Sequence, residues 1–304
     1  MPYLNTLTEI RKFITVCTQA ETLWLDTEVA DFRSKNPKLS LIQVLDDPDD
    51  MSGERIFILD VLEQPDAIAD FISVIMSNHA IEKVFHNSSY DLKFLGGSKK
   101  AKNVTCTLEM AKKIPYHILP LHNYKLETLA SELCNFKNID KQHQTSDWGI
   151  RPLTEEQIDY AYLDCIYLAQ VHKALLELNQ EINPDPKTDD IVSLTARYKQ
   201  IEKEYKLLTS EYDYLQERIK KAMQAQNVLE TSEYKLNSYE RATVKVGFGE
   251  LIQLVQSQGI SLDFPVTLTQ KLQKDLGNNL EQLNVDVETS SIVRLLPQKN
   301  EDEE

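Results

Sequence analysis

One segment of this chain places two acids close together in a run of β-forming residues. Strand side chains alternate, so in Leu25-Asp26-Thr27-Glu28 the carboxylates of Asp26 and Glu28 are predicted to share one face, next to the apolar Trp24 and Leu25. Two such carboxylates raise each other's pKa unless a cation lies between them. An oxygen-only site of this kind suits Mg²⁺ or Mn²⁺. The alternative is an ordinary strand end running into a turn, where acids are common.

A second acid follows a predicted buried strand. The stretch VFHNSSYDL (84–92) turns polar at its end, and Asp91 opens the next predicted helix. Taken alone, Asp91 has a simpler explanation, because an acid at a helix start is favoured by the helix macrodipole.

A third segment carries an acid inside a predicted helix. Tyr160 and Asp164 are four residues apart and therefore lie on one helix face. Asp164 is flanked by Leu163, Cys165 and Ile166, which is a poor setting for an unpaired charge. The alternative is an exposed i,i+4 hydrogen-bonding pair.

Alternating strands and helices must hold these segments. Three β-rich runs joined by short turns predict an antiparallel meander: Thr22–Glu28, Leu39–Leu45 and Arg55–Asp60. A helix over Pro65–Asn78 and a short buried strand over Ile81–Phe85 follow. This order predicts a mixed α/β layer fold.

A long helix closes the first part of the chain. Apolar residues at helical spacing predict it from Gln157 to about Leu178, and the polar, proline-containing stretch 183–190 ends it. We therefore expect one domain over residues 1–182 and a linker over 183–190.

The second part opens with a heptad pattern. Residues 191–228 are predicted to form a long helix, whose apolar seam comprises Ile191, Leu194, Tyr198, Ile201, Tyr205, Leu208, Tyr212, Leu215 and Ile219. Such a seam must be buried, either against a second copy of the chain through 191–222 or by folding back onto the hairpin predicted after it. Self-association is the preferred interpretation, although repeated tyrosines are bulky for a tight parallel dimer.

The remaining residues carry no catalytic pattern. We expect a small α+β appendage over 229–298, with a β-hairpin at Tyr234–Val246 and an apolar stretch near Ile292–Leu296. An acidic tail follows over 299–304.

Composition limits the partners. The 304 residues are 41% hydrophobic with a formal net charge of −15, and they contain neither an apolar run long enough to span a bilayer nor a basic-then-apolar leader. A cytoplasmic protein without a membrane partner is expected. The acidity disfavours tight metal-free binding to phosphates, but it is compatible with carboxylates that a cation neutralises before substrate arrives.

The four scattered cysteines lack a Cys-x-x-Cys pair and indicate neither a structural zinc site nor a disulfide framework.

The order and context of the three acidic segments resemble the DEDD exonuclease superfamily, and specifically its Tyr-containing branch, the ribonuclease D-like enzymes. The resemblance covers roughly residues 20–178 and includes DKQHQTSDW (140–148) and Arg-Pro-Leu (151–153) just before the third segment. It implies a ribonuclease H-like mixed sheet flanked by helices, here followed by a helical or coiled-coil region with a small β-hairpin. Classical ribonuclease D carries helical nucleic-acid-binding repeats there, which the second part of this chain does not resemble.

The resemblance also implies residue roles. The four metal-holding acids would be Asp26, Glu28, Asp91 and Asp164. Tyr160 would orient the attacking water, and His86 and Asn87 would lie near the substrate path. One departure is Cys106 before Thr107, where relatives often carry Asp-Thr; this position is not one of the four acids.

The implied activity is metal-dependent 3′→5′ hydrolysis of phosphodiester bonds at a single-stranded 3′ end, releasing nucleoside 5′-monophosphates. Two divalent ions, Mg²⁺ or Mn²⁺, would supply the activated water and stabilise the leaving 3′ oxygen. Tyr160, with an ordinary pKa of about 10, would align that water rather than act as its base. RNA is the expected polymer and DNA the alternative, since the same acids serve both and only contact to the 2′-hydroxyl separates them.

Two other functions are weighed against this one. A non-catalytic nucleic-acid-binding scaffold predicts the loss of at least one acid, yet all four and Tyr160 are present. A coiled-coil adaptor with an incidental α/β head would depend on the second part of the chain. Lys141 and Arg151 are expected near the site, in a structural or substrate-facing role, and Trp148 is expected in the core.

Overall fold

The computed structural model describes residues 2–139, 142–262, 265–287 and 290. The chain divides into two compact units, residues 1–206 and residues 207–304. The predicted apolar stretch at 292–296 and the acidic tail at 299–304 lie outside the described residues, as does Lys141.

The centre of the first unit is an antiparallel meander of three strands: β2 (Thr22–Ala30), β3 (Lys38–Leu45) and β4 (Ile56–Asp60). The predicted meander is therefore confirmed. Strand β2 pairs with β3 so that Asp26 lies opposite Gln43, and the register shifts between Glu28 and Val29.

Three short strands extend the meander into a mixed six-stranded sheet. Strand β1 (Tyr3–Leu4) pairs in parallel with β4, while β5 (Glu82–Phe85) pairs in parallel with β2 and β6 (Val104–Cys106) with β5. The order is β1-β4-β3-β2-β5-β6. Because β2 and β5 are parallel, the residues that follow them emerge at the same edge of the sheet.

Helices cover both faces of this sheet. On one face, α1 (Leu7–Cys17) and α2 (Pro65–Phe71) pack over the apolar residues that alternate with the acids of β2, such as Leu23 and Leu25. A π-helical turn over Ile72–Met76 continues α2, so the predicted Pro65–Asn78 helix is present in two parts.

The other face is covered by α6 (Glu155–Ile182), which contains the predicted Gln157–Leu178 helix. The helix begins with a capping box. The Thr154 hydroxyl accepts a hydrogen bond from the backbone N–H of Gln157, and the side-chain oxygen of Gln157 accepts one from the backbone N–H of Thr154. The helix packs on Trp24, Leu45 and Ile56, so that Tyr160 and Asp164 come to the side of the sheet that carries Asp26 and Glu28.

The single helix predicted to open at Asp91 is instead a 3₁₀ turn (Asp91–Lys93) followed by the short helix α3 (Gly97–Lys100). Two short helices were not predicted from the sequence: α4 (Thr107–Lys113) and α5 (Leu126–Cys134). Helices α4 and α5 pack against the C-terminal half of α6 in a separate apolar cluster.

Helix α7 (Ile191–Ala225) corresponds to the predicted heptad helix, and its seam residues from Ile191 to Ile219 are exposed in this single chain. In the described residues, no helix is both long and apolar enough to cross a membrane. The predicted domain boundary at 183–190 stays a prediction.

The second unit contains α8 (Phe248–Gln258) and α9 (Gln270–Leu276). The hairpin predicted over Tyr234–Val246 is wrong, because residues 236–246 form no strand and the pairing nearby is one antiparallel bridge between Glu230 and Lys235. An isolated two-stranded hairpin is marginal in water unless one face is buried, and here Tyr239 and Val244 are exposed.

Candidate active site

Three of the predicted acids converge between the sheet and α6. The carboxylate oxygens of Asp26 and Glu28 on β2 and of Asp164 on α6 lie within 4.8 Å of one another. Glu28 and Asp164 are buried and Asp26 is half-buried. Three carboxylates this close and this sheltered repel one another, so the group fits a hard divalent cation with oxygen ligands.

Asp91 reaches the same cleft from the neighbouring strand. It begins a 3₁₀ turn (Asp91–Lys93) soon after β5 and is buried. The hydroxyl of Thr27 donates a 2.6 Å hydrogen bond to Oδ1 of Asp91. Burial raises the pKa of Asp91 to about 7, and the hydrogen bond from Thr27 opposes that rise. A cation beside Asp91 would favour its charged form, as expected of a ligand.

Tyr160 lies one helical turn before Asp164 and is almost fully buried. Its ring meets that of Trp148 at a centroid distance of 6.1 Å. Burial, together with the negative charges of Asp164 and Glu28, raises the pKa of the Tyr160 phenol well above its usual value. The hydroxyl therefore keeps its proton and can donate a hydrogen bond beside the cluster of Asp26, Glu28 and Asp164.

Trp148 is buried, as predicted, and its loop is anchored to the sheet by Arg151. The guanidinium of Arg151 forms an ion pair with Asp60 at the end of β4 and donates to the carbonyl of Trp148 at 3.0 Å. Ser40 donates to the same carbonyl at 2.6 Å. Burial alone would raise the pKa of Asp60, but hydrogen bonds from Arg151 and Tyr3 hold it below its usual range. Arg151 thus has a structural role beside the site.

His86 and Asn87 line the cleft next to Asp91. Nδ1 of His86 lies 2.9 Å from the hydroxyl of the buried Thr107. Asn87 adopts a left-handed backbone conformation with φ of 58°, which asparagine tolerates better than most residues. Cys106 ends β6 and pairs with Phe85 of β5. Of the Cys106-Thr107 pair, it is Thr107 that contacts His86.

The cleft around these residues has a volume of about 830 Å³. Its wall includes side chains that sequence reasoning missed: Phe32, Tyr90, Tyr124, Lys125, Gln144 and Thr145. Tyr90, Gln144 and Thr145 lie within the segments 84–92 and 140–148 that the sequence analysis singled out, and this position is the signal that could have indicated them. Phe32, Tyr124 and Lys125 come from turns and loops without a periodic pattern. A metal ion needs several acid, histidine or cysteine side chains close together. In the described part of the chain, Asp26, Glu28 and Asp164 form such a group.

Comparison with known proteins agrees with this geometry. The family model described as "3′-5′ exonuclease" matches residues 2–179, which include both strands and helix α6 of the site. This chain belongs to the 3′-5′ exonuclease family. The predicted resemblance to ribonuclease D-like exonucleases and the predicted ribonuclease H-like fold class are thereby confirmed.

Individual relatives of this exonuclease-family chain match 55–70% of its length. Ribonuclease D of Serratia proteamaculans is 31% identical over 174 residues, which are 55% of this chain and 42% of that protein. Human exosome complex component 10 is 28% identical over 216 residues, which are 70% of this chain and 23% of that protein. The chain therefore spans less than half the length of either relative. The crystal structure of Escherichia coli RNase D is 24% identical, with a TM-score of 0.48 over 59% of this chain and 45% of that one.

Proposed function

We propose that this chain removes nucleotides one at a time from the single-stranded 3′ end of RNA, in a reaction that needs two divalent cations, Mg²⁺ or Mn²⁺. The observation that carries the proposal is the convergence of Asp26, Glu28 and Asp164 within 4.8 Å in a cleft that Asp91 and Tyr160 also line. Membership of the 3′-5′ exonuclease family supports the reaction class.

Each residue has a definite task in this proposal. The carboxylates of Asp26, Glu28, Asp91 and Asp164 hold the cations, which when bound lower the pKa of a water and stabilise charge on the leaving 3′ oxygen. Tyr160, kept protonated by its surroundings, donates a hydrogen bond that orients the attacking water. Breaking the bond between the phosphorus and the leaving 3′ oxygen leaves the phosphate on the departing nucleotide, which is released as a nucleoside 5′-monophosphate.

RNA is proposed as the substrate because relatives named ribonuclease D and exosome complex component 10 share this domain. The cleft suits a chain end, because its wall offers exposed aromatic surface from Phe32 and Tyr90 and a positive charge from Lys125. The net charge of −15 disfavours a long basic track for a duplex. His86 and Asn87 line the path of the terminal nucleotide in this proposal.

The deciding experiment is the degradation of 5′-labelled single-stranded RNA and DNA of equal sequence with Mg²⁺, Mn²⁺ or EDTA. The native chain is compared with Asp26→Asn and with Asp66→Asn, a matched loss of an exposed acid outside the cleft. We expect a metal-dependent ladder shortening from the 3′ end, faster on RNA, that Asp26→Asn abolishes and Asp66→Asn retains. No shortening of either polymer with either ion would overturn the enzymatic proposal in favour of a binding scaffold, and faster shortening of DNA would overturn the choice of substrate.

We also propose that the chain self-associates through the seam of α7 (191–222), which is apolar and exposed in the single chain. The test measures the molar mass in solution for the native chain and for Leu208→Glu on the seam. Leu207→Glu, next to it but off the seam, is the control, since both leucines are exposed. A dimer that Leu208→Glu alone dissociates supports the proposal, and a native monomer contradicts it.

A further inference from the structure

Gln43 is a buried polar side chain whose amide makes no hydrogen bond with the described residues. It lies in the middle of β3 with an exposed fraction of 0%. Neither Nε2 nor Oε1 of its amide has a hydrogen-bond partner in the described part of the chain. Buried amides are nearly always paired, because removing their polar atoms from water is unfavourable unless a new hydrogen bond replaces the lost ones. An apolar residue would fill this position at lower cost.

The strand register places Gln43 beside the metal-binding cluster. Asp26 of β2 lies directly opposite it, and Ile58 of β4 lies on its other side. Directly opposite residues of an antiparallel pair share one face of the sheet, with Cβ atoms about 4.5–5.5 Å apart. A glutamine side chain is long enough to reach a carboxylate at that spacing.

The other strand residues beside Gln43 offer no free acceptor for its Nε2. Along β3 its neighbours on the same face are Leu41 and Leu45, which are apolar. Asp60, diagonally across on β4, is already engaged by Arg151 and Tyr3. The residue directly opposite on β2 is Asp26, and its carboxylate is a suitable acceptor.

We propose that Gln43 is a positioning residue for Asp26. Its Nε2 donates a hydrogen bond to one carboxylate oxygen of Asp26 when cations are bound, so that the other oxygen faces the metal. This inference rests on the proposed function only in requiring that the acidic cluster binds divalent cations. Ligating carboxylates are commonly held by such outer hydrogen bonds, and losing one weakens metal affinity by about 10–100-fold.

An amide suits this task better than a charged group. A lysine at this position would pair with Asp26 and compete with the cation for its charge, whereas a glutamate would repel it. A neutral donor orients the carboxylate and leaves its negative charge for the metal.

The competing explanation is that Gln43 only fills space between the strands. The two explanations differ for Gln43→Leu and Gln43→Met, which keep most of the side-chain volume and remove the amide. A positioning role predicts that both variants bind Mn²⁺ about 10–100-fold more weakly. It also predicts that their melting temperature in EDTA is equal to or above that of the native chain, since an unpaired buried amide has been removed.

The experiment titrates Mn²⁺ into the full chain by calorimetry and measures melting in EDTA for the native protein, both variants and Ile42→Val. Ile42 is the neighbour of Gln43 on β3 and packs on the opposite face of the sheet, so its shortening lowers the melting temperature without touching the cluster. We expect native Mn²⁺ affinity in Ile42→Val and weakened affinity in both Gln43 variants.

Native Mn²⁺ affinity in both Gln43 variants would overturn the proposal, because the amide would then have no effect on cation binding. Unfolding of both variants in EDTA would also overturn it, because the amide would then be required for the fold itself. The RNA assay on the native chain separates this outcome from a failure of the proposed function. If the native chain binds Mn²⁺ but does not shorten RNA, the exonuclease proposal falls while the affinities still decide the role of Gln43.

Discussion

Thr27 donates a 2.6 Å hydrogen bond to Oδ1 of Asp91, and both side chains are buried. Thr27 stands between Asp26 and Glu28 on β2, whereas Asp91 follows β5. The central residue of the acidic strand segment therefore holds the acid that comes from the neighbouring strand, so that a single segment organises three of the four acids.

Thr27→Val should weaken catalysis by releasing Asp91. The substitution keeps the branched shape and removes the hydroxyl, and we expect kcat to fall about 10–100-fold, with a higher Mn²⁺ concentration needed for half-maximal rate. Thr27→Ser retains the donor and should restore most of the rate. Equal losses in the serine and valine variants would show that packing rather than the hydrogen bond matters.

Tyr160→Phe should slow the reaction without weakening metal binding. The ring still packs against Trp148, but the protonated hydroxyl that orients the water is gone. Misplacing a reacting group costs roughly 10²-fold in rate, so we expect kcat to fall by about that factor. Calorimetry should give native Mn²⁺ affinity. A parallel drop in affinity would instead mean that Tyr160 acts by holding Asp164.

Arg151→Ala should destabilise the fold, because it leaves the largely buried carboxylate of Asp60 without its ion-pair partner. For this partly solvated pair we expect the free energy of unfolding to fall by about 2–4 kcal/mol, measured by urea denaturation. Arg11→Ala removes an ion pair to Asp70 whose side chains are 53% and 36% exposed, and it should cost less than about 1 kcal/mol. Similar losses in the two variants would contradict the structural role of Arg151.

Stability should fall in mild acid partly because of His172. This histidine is buried on α6 and its Nδ1 accepts from the Trp24 indole at 3.2 Å. Burial lowers its pKa, partly offset by Glu82, so the unfolded chain takes up a proton below about pH 6.5 while the folded chain does not. Because the unfolded state then binds more protons, the free energy of unfolding falls as pH falls through this range.

The variant His172→Gln removes the titrating ring and keeps an acceptor for Trp24. Urea denaturation between pH 7 and pH 5 should show a steeper loss of stability in the native chain than in this variant. Parallel curves would mean that His172 is protonated in the folded protein as easily as in the unfolded one.

Several features of the site could be predicted because they are local. The alternation of β2 is sufficient to place Asp26 and Glu28 on one face, and the four-residue spacing on α6 is sufficient to pair Tyr160 with Asp164. The long helices α6 and α7 were predicted for the same reason, since their apolar periodicity extends over many turns.

Short or unsupported elements could not be predicted in this way. Strands β1 and β6 have two and three residues, too few for a periodic pattern. At Tyr234–Val246, by contrast, strand-like residues were present but no buried face supports a hairpin. The preference of individual residues for the strand conformation does not form a hairpin when no packed face stabilises it.

By itself, the sequence determined the kinds of side chain that meet in the site and the faces from which they project, because backbone geometry repeats over two to four residues. Only the tertiary structure decided which of them touch. Gln43 lies opposite Asp26 through strand register, Thr27 meets Asp91 across 64 positions, and Arg151 reaches Asp60 across 91. Such contacts depend on how whole elements pack, since register and helix placement follow from burying the apolar faces of the sheet.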